Sequence, residues 1–159
     1  MGKVAIYLIW AVILWIPATS LAASEAKVRD NVDGMCRSVQ VQVNETPINF
    51  YSSDADQLLD DIADTLYFLR IGLFLQKPNG KGKKKKASVA MLKTQLRDLS
   101  DTLQPVVDSI RDAAVWHFFG GGGIPVAQES FDAAKLSLLE FNALAEAYGF
   151  ADCASITLP

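Results

Sequence analysis

Residues 88–119 read SVAMLKTQLRDLSDTLQPVVDSIRDAAVWHFF, and this stretch decides the fold class. Leu92, Leu96, Leu99, Leu103, Val106, Ile110 and Ala113 are separated alternately by four positions and by three. Because a helix turns once in about 3.6 residues, that spacing lays them along one side, the seam of a helix packed in a bundle. Ser88 is placed to cap the first turn. Pro105 removes one backbone donor but leaves the phase of the seam unchanged, so a kink or short break is expected there and not a change of face.

Working outward, three further segments carry a helical period, giving expected helices over 24–43, 54–76, 88–119 and 125–148. In 54–76, Ser52 and Ser53 can accept hydrogen bonds from first-turn amides, and Asp54 and Asp56 favour the positive end of the helix dipole. Leu58, Leu59, Ile62, Leu66 and Leu69 form its buried stripe, with Asp60, Asp61 and Asp64 on the wet side. From 66 to 75 the apolar residues run nearly all the way round and need covering on several sides. In 125–148, Pro125 suits the first turn, Phe131, Ala134, Leu138, Phe141, Ala145 and Tyr148 share a side, and Gly149 suits the C-cap. The segment 24–43 is ambiguous, since Val39-Gln40-Val41-Gln42-Val43 also alternates as a strand would. No partner strand of similar length is visible, and helix is the preferred reading.

The N-terminal residues follow a different logic. Lys3, the apolar run 4–15 and the small-residue stretch Pro17-Ala18-Thr19-Ser20-Leu21-Ala22 stand in the order of a secretory signal peptide. A run of about twelve residues is short for a membrane span, which needs roughly twenty. The division is therefore a signal peptide over 1–22, cut after Ala22 or Ala23, and a single domain over 23–159; an uncleaved anchor is the alternative. This predicts a secreted or periplasmic protein. Without Lys3, fourteen basic side chains face eighteen acidic ones, and so mild an acidity disfavours nucleic acid as a partner. In an oxidising compartment the two cysteines, Cys36 and Cys153, read as one disulfide, with two free thiols or an intermolecular bridge as alternatives.

The fold class is thus all-α: an antiparallel up-down four-helix bundle after a signal peptide, its third helix kinked at Pro105, closed by one disulfide. That topology puts the N-terminus, the C-terminus and the second connection at one end. Since Cys153 lies beyond the last helix, it also predicts that residues before Cys36 overhang the bundle or fray.

Chemistry is narrowed mainly by elimination. With one histidine, His117, and two cysteines expected to pair, a four-ligand zinc set cannot be assembled, and there is no Glu-x-x-His for a dinuclear iron site. Haem attachment by Cys-x-x-Cys-His is missing, and Met91 is some 39 Å from His117 along one helix at about 1.5 Å per residue. There is no Gly-x-Ser-x-Gly elbow. No cofactor, metal site or catalytic residue is expected, and His117 reads as a hydrogen-bonded residue at a helix end. The pairs Asp60 and Asp64, and Asp108 and Asp112, read as solvated faces. Gly120, Gly121, Gly122 and Gly123 lack the context of a phosphate loop and read as a flexible connection.

Two contact surfaces remain. Trp116, Phe118 and Phe119 cannot all point into one core from adjacent helical positions, and Phe50 and Tyr51 should lie at the same end, forming an aromatic contact patch. Between the second and third helices, 77–87 forms a lysine-rich loop in which Lys77, Lys81, Lys83, Lys84, Lys85 and Lys86 are candidates for an electrostatic polyanion contact, directly after Leu73-Phe74-Leu75. The sequon Asn44-Glu45-Thr46 is followed by Pro47, which disfavours glycosylation. The functional expectation is a non-enzymatic exported bundle that binds a protein, anionic lipid or acidic polysaccharide through its loop ends. An apolar-ligand or lipid carrier with a cavity between helices is the alternative, and an enzyme of unrecognised type the third reading.

Overall fold

In a computed structural model of the chain, described for residues 25–78, 83–120 and 122–159, four α-helices and one short 3-10 turn account for the regular structure. They are α1 (Glu25–Asn44), α2 (Ala55–Leu75), α3 (Lys83–Phe118), α4 (Ile124–Tyr148) and the 3-10 turn Cys153–Ser155. The proposed signal peptide lies outside the described residues. Val39 and Val43 are buried and Val41 is exposed within α1, so the alternating valines lie on a helix.

The seam on α3 is buried throughout, from Leu92 to Ala113. Val107 and Ala114 are buried beside it, because α3 packs along both α2 and α4 and so needs a wider apolar face than a single seam. Cross-contacts fix the direction of neighbours. Arg111 meets Asp64 at 3.1 Å, and Ser100 Oγ donates to the Arg70 carbonyl at 3.1 Å. Low-numbered residues of α2 therefore lie beside high-numbered residues of α3. Tyr148 donates its hydroxyl proton to Asp98 at 2.9 Å, setting the end of α4 beside the first half of α3.

Two expected details differ. Helix α3 starts at Lys83, five residues before the expected start, so Ser88 is not its cap and Lys83, Lys84, Lys85 and Lys86 belong to its first turn. Lysine has good helix propensity, and this outweighs the unfavourable placing of positive charge at an N-terminus. At the start of α2 no side chain caps the first turn; the Ser52 hydroxyl bonds the Asp54 carboxylate instead. Pro105 sits exposed inside α3, which continues past it to Phe118.

The largest departure concerns the C-terminus. Residues before Cys36 do not overhang: Val28 and Val32 are buried, and Arg29 donates to the Tyr148 carbonyl at 2.7 Å. The reason is a chain reversal at Gly149, whose φ of 78° is the left-handed conformation that glycine adopts without penalty. Phe150 N–H then returns to the Ala145 carbonyl at 2.9 Å, and the tail runs back along α1, burying Phe150, Cys153 and Ile156. This brings Cys153 level with Cys36. The two form a disulfide with Cα atoms 4.9 Å apart, spanning 117 positions of sequence. Further along, the Thr157 amide donates to Gln40 and Asn142 donates to the Ile156 carbonyl.

Candidate functional site

At one tip, the loop after α1 meets the end of α3. The connection is His117, whose Nε2 lies 3.0 Å from the Phe50 carbonyl oxygen, while its Nδ1 is buried without a hydrogen-bond partner, 3.9 Å from Asp56 Oδ1. Turning His117 inward turns its neighbours outward. Phe118 is 77% exposed, Phe119 69% and Trp116 44%, with the Phe119 ring centroid 6.0 Å from that of Trp116 and 6.2 Å from that of Phe118. Tyr51 is exposed on the facing loop. Phe50 separates from this set: it packs against the core, edge to face with Phe131 at 5.7 Å.

Glycine sets the shape of this tip more than its flexibility. Gly120 takes a φ of 77°, and its N–H bonds the His117 carbonyl at 2.9 Å. Gly123 folds back against the last turn of α3, where a Cβ would stand 2.0 Å from the Trp116 carbonyl oxygen. Four glycines in a row look from sequence like a mere connection and conceal which of them the backbone requires.

The opposite end holds the lysines. Phe74 and Leu75 close α2 with both side chains exposed, followed by exposed Lys77, and Lys86 is exposed in α3. Lys81 lies outside the described residues, and Lys83, Lys84 and Lys85 are placed by their helix alone. The N-terminal end of α1 is at this end too, since Arg29 reaches Gln95 on α3 at 3.3 Å and the end of α4. Arg29 was not singled out from sequence. It also pairs with Glu25 and lies 5.0 Å from the Phe150 ring centroid, tying α1, α3, α4 and the tail together.

The two ends differ in charge because of how charge is ordered along the chain. Between 38 and 69 there are six carboxylates, Glu45, Asp54, Asp56, Asp60, Asp61 and Asp64, and no lysine or arginine. Between 70 and 97 there are nine lysines and arginines and no carboxylate. The pairing of α2 with α3 sorts the first tract toward the aromatic tip and the second toward the lysine end. Crowding shows in the carboxylates: burial, then the neighbouring Asp64, raises the Asp60 and Asp61 carboxyls above their ordinary range.

A cleft of about 280 Å³ opens at the surface between Phe50, Phe131, Lys135 and Pro159. It is not beside the apolar stretch 66–75, where Leu66, Leu69, Gly72 and Leu73 are core. Among the described residues, no three histidine, cysteine, aspartate or glutamate side chains come together as a metal-binding group. None of the described helices is long and apolar enough to cross a membrane. In comparisons with known proteins, no family model, no curated protein and no solved structure matches the chain.

Proposed function

We propose that this chain is an exported, non-enzymatic helical bundle that binds anionic membrane surfaces through its lysine end. The observation that carries the reading is the exposure of Phe74 and Leu75, 56% and 59%, directly before Lys77 and at the end where Lys83 to Lys86 open α3. Each lysine near anionic lipid contributes about 1 kcal/mol, and two apolar side chains beside them can enter the headgroup layer. An acidic polysaccharide offers charge but no layer for Phe74 and Leu75, which favours lipid.

Export completes the proposal: 1–22 is removed as a signal peptide, and the protein acts in the periplasm or outside the cell, where its disulfide persists. The bundle is antiparallel and up-down, as the pairing of Asp64 with Arg111 and of Asp98 with Tyr148 supports, and α3 bends at Pro105, whose missing N–H leaves one carbonyl of the preceding turn free.

Co-sedimentation with phosphatidylglycerol vesicles tests the function. Binding at low salt is expected, with loss when Lys83, Lys84, Lys85 and Lys86 are replaced by serine and weakening when Phe74 and Leu75 are. Failure of the unmodified protein to bind these vesicles at low salt would overturn the reading, as would equal binding by the lysine variant. Binding to an acidic glycan but not to vesicles would assign the site to polysaccharide instead.

A further inference from the structure

We propose that the aromatic tip is a docking site for a second copy of this chain, which seats its lysine end there. The argument begins with the tip itself. Tyr51, Trp116, Phe118 and Phe119 are exposed together beside one helix end and one loop, and the only inward-facing side chain of the run 115–119 is His117. Large aromatic side chains clustered in water mark a contact surface more than they mark a solvated one.

Charge selects the occupant. The half of the molecule that ends in the tip carries Asp54 at the N-cap of α2, Asp56, Asp60, Asp61 and Asp64 along the first half of α2, Asp108 and Asp112 in the second half of α3, and Glu129 and Asp132 in the first half of α4. Two cations in this half are already engaged: Arg111 meets Asp64 at 3.1 Å, and Lys135 Nζ lies 5.0 Å from the Phe131 ring centroid. The surface therefore fits a partner with an apolar centre and a basic rim. The lysine end of this same chain has that composition, with Phe74 and Leu75 exposed near Lys77 and Lys86, and the carboxylates of that half, Glu25, Asp30, Asp98, Asp101 and Glu146, are outnumbered by Lys27, Arg29, Lys93 and Arg97 together with the lysine cluster.

A tip-to-tip pair would bring the acidic groups of both copies together, whereas tip-to-lysine contact opposes unlike charges and excludes water from apolar side chains on both sides. Such a contact uses two different patches of each copy, so it leaves one patch free at either end and grows without closing. A copy held on an anionic surface by its lysines presents its tip outward to the next copy. The inference stands whether or not the membrane is the surface.

Sedimentation velocity of the mature protein, at about 0.02 M and about 0.5 M salt, is the test, because screening over a few ångströms removes a contact of this kind. At low salt the average mass should rise with concentration; at high salt it should fall to that of the monomer. Two variants separate the patches: one with Trp116, Phe118 and Phe119 replaced by serine, one with Lys83, Lys84, Lys85 and Lys86 replaced by serine. Each should be monomeric alone, with helix content unchanged in the tip variant and lowered by no more than the first turn of α3 in the lysine variant. Mixed in equal amounts they should form a dimer and nothing larger, since each retains the patch the other lacks. The proposal is overturned if the unmodified protein stays monomeric at low salt, if the lysine variant associates as the unmodified protein does, or if the mixture stays monomeric. The tip variant should still bind anionic vesicles, so loss of membrane binding and loss of self-association are separate results.

Discussion

Gly123 packs so closely on Trp116 that a side chain at 123 would meet the Trp116 carbonyl oxygen at 2.0 Å. Backbone stands on both sides of this contact, so it cannot be relieved by rotating a side chain. Replacing Gly123 by alanine should cost about 1–3 kcal/mol, the range for forced overpacking. Gly122, with nothing within 4 Å of its would-be Cβ, supplies the control, and Gly122→Ala should stay within about 0.5 kcal/mol. Denaturant melts of the two variants decide this, and equal stabilities would show that the tip relaxes freely.

The disulfide closes a long loop between buried cysteines. In the chain-entropy model such a loop raises the free energy of the unfolded state by about 4–5 kcal/mol, an upper figure for measured bridges. Native protein should take up no alkylating reagent before reduction, as mass spectrometry would show, and reduction should lower the melting temperature. An unchanged melting temperature would mean that the tail is held without the disulfide, by the burial of Phe150 and Ile156 and by its hydrogen bonds to Gln40 and Asn142.

Arg29 gives the third expectation. Its guanidinium donates to the last-turn carbonyl of Tyr148 and to Gln95, and it lies over Phe150. Arg29→Met keeps the aliphatic stem but removes the donors, and should cost about 1–3 kcal/mol, as for hydrogen bonds to a charged group. Chemical denaturation measures it. Hydrogen exchange should show the loss spread over α1 and the tail, and loss confined to α1 would contradict the role given to Arg29.

How much of this was legible from sequence follows from what each feature depends on. The seam from Leu92 to Ala113 is a local period, so it could be read directly. Cys36 and Cys153 were pairable by count alone, but their setting was misjudged because the reversal at Gly149 depends on Phe150 finding a buried place in the folded molecule. The start of α3 at Lys83 was hidden by charge, which suggests a solvated loop although lysine is a good helix former. Arg29 was invisible because its partners are 66 and 119 positions away.

Asp61 gives a prediction with a sign. Burial, Asp64 and Asp60 all raise its carboxyl above the ordinary value of 3.8 in the folded protein. The folded state therefore holds that proton more tightly than the unfolded state, and stability falls as pH rises through the interval above 3.8. Asp61→Asn should raise the melting temperature at neutral pH, with the gain disappearing below the unfolded value. Thermal melts across pH check this; a gain that persists undiminished at low pH would require another cause.

On the proposed function, the lysine end, and not the aromatic tip, meets the anionic surface. Removal of residues 1–22 leaves Trp116 as the sole tryptophan of the chain, and it lies 33 residues along α3 from Lys83, roughly 50 Å at about 1.5 Å per residue. Its fluorescence during titration with phosphatidylglycerol vesicles carrying brominated acyl chains is the direct measurement. Co-sedimentation at low salt without quenching of Trp116 emission is expected, because the tip stays outside the acyl layer, whether in water or against a second copy. Quenching of Trp116 on binding would place the tip in the membrane and contradict the proposed function.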